Sequence, residues 1–328
     1  MSPFRSLDRA CIWACLAVVS IGARTGAEEE PKGIVSFRKE QNQLIVTVDR
    51  KPVATYVFRD ENISRPYFAH VKAPGGQQVT RNHPPLKDID RTDHDTMHPG
   101  IWLAFGDLDG EDFWRNKARI VHQGFADPPD QPAGTGGFFE EKHYLRPDGS
   151  LLCKERFRCF LHVLDNAYLL EWDSTFTSDS EFYFGDQEEM GLGVRVTTAI
   201  SEVERGRLSD SEGRAGAGKI WSQAADWCDY SGVVGDERIG MTIMCHPDNF
   251  RPSWFHARDY GFVAANPFGR KAMQKGDLSK LIVKPGENLR LRYGILIHSS
   301  PKDQPLDLKA AYGDYLKFCS IQKFLGDR

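Results

Sequence analysis

The sequence lacks the patterns by which several common protein classes are identified. Its 328 residues contain no CxxC pair, no phosphate-binding loop, no dinucleotide-type glycine pattern after a strand and no GxSxG motif. Lys and Arg number 42 against 46 Asp and Glu, and no basic stripe interrupts that balance. These absences argue against zinc knuckles, nucleotide chemistry, serine hydrolases of the elbow type and nucleic-acid binding.

One long apolar run is present, and it lies near the N-terminus. Arg5 and Arg9 precede the run "ACIWACLAVVSIGA", and a small residue follows at Ala27. The run is shorter than the ~20 residues that a membrane-spanning helix needs. A basic start, a short apolar core and a small residue are typical of a cleaved secretory signal. We therefore predict a signal peptide over residues 1–27, a mature chain without a membrane span, and a periplasmic or secreted location.

Cysteine usage gives no sign of a metal knuckle. Cys11 and Cys15 lie within the predicted signal peptide, where a lipid anchor on one of them is the weaker alternative to cleavage. The remaining cysteines are odd in number and widely spaced, so they are expected to be isolated buried thiols: Cys153, Cys159, Cys228, Cys245 and Cys319.

Alternation of apolar and polar residues recurs along the chain, whereas long helical periods are rare. "GIVSFRK", "NQLIVTVD" and "PVATYVF" predict three opening strands, and Asp165-Asn166 predicts a hairpin turn. The Gly-, Ser- and Arg-rich region from Glu204 to Gly218 predicts an exposed loop. Only the last element, "LDLKAAYGDYLKFCSIQKF", has a convincing helical stripe. These patterns predict one all-β domain over residues 28–328, a large antiparallel β-sandwich with a short C-terminal helix.

The stretch "TDHDTMHPGIWLAFGDLDGEDFW" gathers two imidazoles and several acids over residues 92–114. His94 and His98 have the H-x-x-x-H spacing of helical zinc sites. Pro99 follows at once and no Glu comes directly after His94, so the zincin pattern fails. We favour acid/base chemistry or hydrogen bonding to a substrate by His94, His98 and Asp93. A metal site and a structural polar loop are the alternatives.

Two further clusters combine acids or imidazoles with arginine and aromatic side chains. "EFYFGDQEEMGLGVRV" is either a solvated loop or the source of a catalytic carboxylate. "CHPDNFRPSWFHARDYGFVAANPFG" is either loop packing or a surface suited to sugar rings, which stack on aromatic faces while their hydroxyls form hydrogen bonds. We predict proton transfer or polarisation by His94, His98, Glu188, Glu189 and His256. Substrate contacts are predicted for Arg65, Asp93, Trp102, Trp114, Arg195, Trp254, Arg258 and Asn266.

The three clusters together resemble a bacterial family of secreted proteins labelled "methane oxygenase PmoA-like". The resemblance runs from about Ser64 to His298 and is carried by "RPYFAHVKAPGG", the 92–114 stretch, "FGDQEEMGLGVRV", "WCDYSG" and "RDYGFVAANPFG". Many members have a DHPHH-type stretch where this chain has "DHDTMH", so the role of the missing histidine does not carry over. A particulate methane oxygenase subunit is an integral membrane protein, which this chain without a mature membrane span does not match. The resemblance implies instead a galactose-mutarotase-like supersandwich, a fold that hosts aldose epimerases, polysaccharide lyases and glycoside hydrolases.

Three functions are therefore compared with the structure. The first is a secreted or periplasmic carbohydrate-active enzyme that performs acid/base chemistry on a sugar or glycoside, by hydrolysis, elimination or epimerisation. The second is a non-catalytic glycan-binding protein of the cell envelope. The third is a metal-dependent enzyme that uses His94 and His98 as ligands of a divalent metal. No other cofactor is predicted, and the expected partner is a carbohydrate small molecule or oligosaccharide.

Overall fold

The computed structural model describes residues 32–126 and 136–325, with side chains as far as residue 320. The predicted signal peptide, residues 1–27, lies outside these residues, so it stays a prediction, as does the domain boundary at residue 28. In the part of the chain that the structure describes, no helix is long and apolar enough to cross a bilayer.

Two antiparallel sheets of eight strands each dominate the described residues, with strands numbered in chain order. The first sheet has the spatial order β1 (Val35–Glu40), β2 (Gln43–Val48), β3 (Lys51–Val57), β4 (Tyr67–Ala69), β5 (Ile101–Phe105), β11 (Met190–Arg195), β16 (Phe262–Asn266) and β15 (Trp254–Arg258). The second has the order β12 (Arg207–Asp210), β13 (Trp227–Val234), β14 (Glu237–Cys245), β18 (Leu289–Pro301), β9 (Ala167–Thr177), β8 (Leu151–Leu164), β7 (Gly137–Leu145) and β6 (Arg119–Phe125).

A few short elements complete the fold. Strands β10 (Phe182–Phe184) and β17 (Leu281–Val283) form a separate pair. The helices are two 3₁₀ turns, Thr198–Ile200 and Glu202–Glu204, the short α1 (Ala217–Ile220) and the C-terminal α2 (Leu308–Leu325).

The predicted fold class is confirmed: the protein is a large antiparallel β-sandwich with a short C-terminal helix. Strands β1, β2 and β3 match the three predicted opening strands, because each alternates between buried and more exposed residues. Strands β8 and β9 pair from Leu164–Ala167 outward, so Asp165-Asn166 is the predicted hairpin turn.

The prediction of an exposed loop from Glu204 to Gly218 is wrong. The region contains β12 and the start of α1, and both Leu208 and Asp210 are buried. The Asp210 carboxylate accepts hydrogen bonds from the backbone N–H and Nε of Arg214, which closes a tight turn. A polar composition therefore does not indicate solvent exposure in this region, because polar side chains such as that of Asp210 form hydrogen bonds within the chain.

The two faces of the first sheet are occupied differently. In β5, Ile101, Leu103 and Phe105 enter the main core between the sheets, whereas Trp102 and Ala104 point to the opposite, outer face. A second apolar cluster covers part of that outer face, and loops from the ends of the strands cross it. The candidate functional residues are on this outer face.

Candidate functional site

The strand register brings predicted site residues from distant segments into adjacent rows on the outer face. Trp102 is opposite Gly193, Gly193 is opposite Ala264, and Ala264 is opposite His256. The neighbouring row places Phe262 between Arg195 and Arg258. Residues directly opposite each other in antiparallel strands share one face. Four strands thus position imidazole, guanidinium and aromatic groups side by side.

Small residues leave room for the large rings in these rows. A Cβ atom added to Gly193 would lie 2.7 Å from the Trp102 ring, so the indole occupies the space above this glycine. Any side chain at residue 193 would displace the ring, because such a separation is well inside van der Waals contact. The glycine therefore allows Trp102 to lie flat against the sheet.

Glu188 is at the centre of one group of interacting polar side chains on this face. Its Oε1 atom accepts hydrogen bonds from Trp221 Nε1 at 2.8 Å and from the Arg258 guanidinium at 2.8 Å. The same oxygen lies 3.4 Å from His256 Nε2. Among the described residues none forms a hydrogen bond with Oε2, and about a third of the side chain is exposed. One oxygen is thus held by the protein while the other faces outward.

The protonation states of this pair follow from its surroundings. Burial lowers the pKa of His256, Glu188 opposes this effect and the Arg258 charge reinforces it, so the pKa is about 4. Burial raises the pKa of Glu188, but His256 and the hydrogen bonds from Arg258 and Trp221 outweigh it and lower the pKa below the usual value. At neutral pH the pair is therefore a carboxylate beside a neutral imidazole.

The backbone decides which nitrogen of His256 is basic. Nδ1 lies 3.1 Å from the carbonyl oxygen of Glu188, which can only accept, so Nδ1 carries the proton. Nε2 then presents a lone pair, and no described residue forms a hydrogen bond with it. A neutral imidazole held in this tautomer can accept a proton and pass it on.

A second group lies on the other side of Phe262. Arg195 donates two hydrogen bonds to the Asp93 carboxylate, at 2.9 and 3.1 Å, and Asp93 accepts a third from His94 Nδ1 at 2.9 Å. Burial opposes ionisation of Asp93, but these bonds and the Arg195 charge keep its pKa well below the usual range. The carboxylate therefore orients the exposed His94 ring, which stacks over Tyr260 at 6.0 Å.

His98 is the buried neighbour of this group. Its ring stacks on Phe262 at 4.4 Å and on Trp102 at 5.1 Å, and only 2% of the residue is exposed. Burial, reinforced by the Arg195 charge, lowers its pKa well below the usual value. His98 is thus a neutral imidazole within the aromatic layer, whereas His94 meets solvent.

The two groups are close enough to act on one small molecule. Successive ring-centroid distances of 4.9 Å (His94 to His98), 4.4 Å (His98 to Phe262) and 5.0 Å (Phe262 to His256) connect them. The imidazoles of His94 and His256 therefore lie within about 15 Å of each other, a span compatible with one ligand site.

Comparison with known proteins identifies the family. Residues 43–310 match the model of a family described as "Family of unknown function (DUF6807)". The chain belongs to this family. No protein of curated function matches its sequence, and the methane oxygenase-like label stays a prediction.

Solved structures with a similar fold include three that cover most of the chain. A galactose mutarotase related enzyme from Lactobacillus acidophilus is 11% identical with a TM-score of 0.38, and the match covers 83% of this chain and 100% of that one. The Slr1438 protein from Synechocystis sp. PCC 6803 is 10% identical with a TM-score of 0.30, over 83% and 97% of the two chains. A heparinase III is 9% identical with a TM-score of 0.30, over 83% and 35%. Likenesses of this size concern the fold and leave the activity open.

Several predicted site residues of this DUF6807 chain have surroundings that differ from the expectation. Trp102 and Trp114 are fully buried, because His98, Phe262 and each other cover their rings, so neither can stack on a sugar. Arg65 is also buried, and its guanidinium donates to the backbone oxygens of Met97 and Trp114, which ties two loops together.

Three further predicted site residues also have surroundings that differ from the expectation. Asn266 is fully buried beneath Glu188: its Nδ2 donates to the Glu188 carbonyl, and its Oδ1 accepts from the N–H groups of Phe268 and Gly269. Glu189 points away from Glu188 and pairs with Arg115. Trp254 is half-buried on the same face as His256, with Arg251 over its ring.

The geometry of His94 and His98 does not suit a shared metal ion. The rings stack face to face with an interplanar angle of 18°. Nitrogen lone pairs lie in the ring planes, so two nearly parallel rings cannot both direct them at one ion about 2 Å away. Within residues 32–126 and 136–325 no group of three or more His, Cys, Asp or Glu side chains could hold a metal ion.

Sequence reasoning did not assign a role to Trp221 or Tyr260. Trp221 follows the Gly-rich region, and its indole donates to Glu188, which lies 33 residues earlier in the chain. Tyr260 lies in the recognised "ARDYGF" stretch, and the Arg195 guanidinium lies 4.5 Å from its ring centroid. The position of Tyr260 directly after the charged residues Arg258 and Asp259 is the sequence feature that could have indicated a site residue.

Proposed function

We propose that this protein is a carbohydrate-active enzyme that transfers protons at a sugar carbon or oxygen, with Glu188 and His256 as its acid/base pair. The observation that supports this proposal is the 3.4 Å separation between a partly exposed carboxylate and the unprotonated nitrogen of a buried imidazole. Such a pair can accept a proton on one group and return it from the other. A periplasmic or secreted location is part of the proposal and rests on the pattern of residues 1–27.

The site supports epimerisation or elimination better than hydrolysis. Most glycoside hydrolases use two carboxyl groups that flank the scissile bond about 5 to 9.5 Å apart. Here the partner of Glu188 at 3.4 Å is an imidazole, and the adjacent Glu189 forms an ion pair with Arg115. A carboxylate–imidazole pair is instead suited to reactions that remove a proton from a sugar. The proton is then returned in an epimerisation, or a neighbouring group leaves in an elimination.

The groups around the pair are suited to a polar ring with many hydroxyls. Arg258 and His94 are both more than a third exposed, and the half-buried Tyr260 ring stacks on His94. The outward Oε2 atom of Glu188 can accept a hydroxyl proton, and the guanidinium can donate to a ring or hydroxyl oxygen. A glycan-binding protein without catalysis is less well supported, because Trp102 and Trp114 are buried and do not form a stacking surface.

The test is a paired assay on the purified mature protein. Anomeric exchange of a panel of aldoses is followed by NMR, and elimination from uronate-containing polysaccharides is followed by ultraviolet absorbance of the unsaturated product. Glu188→Gln and His256→Gln should each lower kcat/KM by about 100- to 10,000-fold. Glu189→Gln is the matched control and should change it by less than about threefold, because its carboxylate pairs with Arg115. Full activity in either test variant would overturn the proposal.

A further inference from the structure

A large hollow lies on the outer face of the first sheet, over strands β2 to β4 and separate from the acid/base pair. Its volume is about 1200 Å³, and neither Glu188 nor His256 lines it. Its floor is formed by outward-facing residues of β3 and β4, namely Thr55, Val57, Tyr67 and Ala69. Single small-molecule sites usually measure ~300–1,000 Å³. The hollow therefore exceeds the needs of one sugar ring.

The hollow and the His94 group share one loop of the outer face. Asp95 and Thr96 line the hollow, and they belong to the same loop as Asp93 and His94. Strand β4, which forms part of the floor, pairs with β5, whose outward side chain is Trp102. The loop that carries His94 therefore also forms part of the wall of the hollow.

The lining has the chemistry of a hydroxyl-binding surface. Amide side chains and carboxylates dominate it, and both accept hydrogen bonds from hydroxyl groups. Three carboxylates, Asp60, Glu61 and Asp95, line it against the single Arg59, while a fourth, Glu40, is paired with Arg38.

The two histidines of the hollow add no positive charge near neutral pH. Burial lowers the pKa of His83 to about 4, and burial together with the Lys72 charge lowers that of His70. The field in the hollow is therefore negative, and it disfavours carboxylated or sulfated ligands.

We propose that this hollow is a binding site for chains of uncharged sugar units, distinct from the Glu188–His256 pair. The choice of a sugar as ligand rests on the proposed function, whereas binding in the hollow can be measured without turnover. The acidic lining selects neutral over anionic units, and the size of the hollow selects chains over single sugars.

The experiment is a calorimetric titration of the full mature chain with neutral oligosaccharides of one to six units. The panel contains β-glucan, xylan, mannan and galactan series, together with oligogalacturonates of the same lengths. At least one neutral series should gain tenfold or more in affinity between one and four units, and the oligogalacturonates should not. Thr55→Trp fills the floor of the hollow and should abolish this gain. Thr47→Trp, on the same sheet face but outside the hollow, is the matched control and should retain it.

A second variant tests the charge argument without filling space. Glu61 is an exposed residue of the rim, so Glu61→Lys should preserve the fold and raise the affinity for oligogalacturonates at least threefold. The proposal is overturned if no neutral series shows a length-dependent gain, if oligogalacturonates gain equally, or if Thr55→Trp binds like Thr47→Trp. If the affinity rises with oligosaccharide length but no turnover is found, the proposed function alone is refuted. If turnover is found without this rise in affinity, the role of the hollow in binding alone is refuted.

Discussion

Glu188 and His256 depend on one another for their protonation states. A buried imidazole prefers to be neutral, and a carboxylate between an arginine and an indole N–H prefers to be charged. Arg258 lowers the pKa of both groups, since its charge lies beside them. Burial therefore keeps the pKa of His256 below the usual imidazole range, and Arg258 adds to this effect.

Removal of the Arg258 charge should move the acid limb of the pH profile. The basic form of His256 exists above its folded-state pKa of about 4, so activity should be lost as the pH falls through that value. Arg258→Gln removes an influence that lowers the pKa, and the limb should therefore move to higher pH. An NMR titration of the His256 imidazole measures the same shift without a substrate. Arg115→Gln, next to Glu189, should leave the limb in place, and an unchanged His256 titration in Arg258→Gln would contradict the assignment.

At the scale of elements, the buried Arg81 side chain makes more hydrogen bonds to the backbone of the loop that carries His94 than Arg65 does, and Arg195 holds the Asp93 side chain. The Arg81 guanidinium donates to the backbone oxygens of Arg91, Asp93, His94 and His98, at 2.8, 2.6, 3.3 and 3.1 Å. The loop has little regular structure of its own, and His94 has a positive φ of 51°. Arg81 thus replaces the hydrogen bonds that a helix or strand would have supplied.

Loss of the Arg81 side chain should loosen this loop before the rest of the protein. Arg81→Met leaves several carbonyl groups without their donor, which should cost about 2–4 kcal/mol of unfolding free energy. In Arg81→Met, hydrogen exchange of the 92–98 amides should become faster than in the unsubstituted protein, whereas exchange of the strand β5 amides should change less. Arg91→Met is the control: Arg91 is about half exposed and 3.6 Å from Asp93, so its loss should cost less than about 1 kcal/mol. Equal exchange rates in the two variants would contradict the role given to Arg81.

At the scale of the whole molecule, the core between the sheets contains charged as well as apolar groups. Lys142 Nζ donates to Glu155 at 2.9 Å, with both side chains almost fully buried. Tyr144 and Ser174 donate to the same carboxylate, and the ammonium lies 4.0 Å from the Phe157 ring centroid. Each charge in this network has partners, which is what allows a low-dielectric interior to hold it.

This network should affect global stability more than any exposed ion pair. Lys142→Met leaves the Glu155 charge uncompensated and should cost about 3–5 kcal/mol in urea-induced unfolding. A Lys142→Met/Glu155→Gln double variant should recover a large part of that loss, because the buried charge is then absent. Lys317→Met, in an exposed pair with Asp314, serves as control and should change stability by less than about 1 kcal/mol. A double variant no more stable than Lys142→Met would show that the pair does not act through charge.

The sequence by itself determined the β-sandwich class, the three opening strands, the hairpin at Asp165-Asn166 and the C-terminal helix. These features follow from alternation, turn residues and helical period, all of which act between near neighbours. It also identified Glu188, His256, Arg258 and His94 as candidate site residues. It could not separate Glu188 from Glu189, nor show that Trp102 and Trp114 are buried.

Only the tertiary structure decided those points. The direction of an acid at the end of a loop depends on which residue of another segment reaches it, here Arg258 for Glu188 and Arg115 for Glu189. The sequence of a strand predicts that an aromatic side chain on the outer face of a sheet is exposed. Trp102 is buried because residues from other segments cover it. The register of β5, β11, β16 and β15 assembles the site, and register is a property of strand pairs that no single strand encodes.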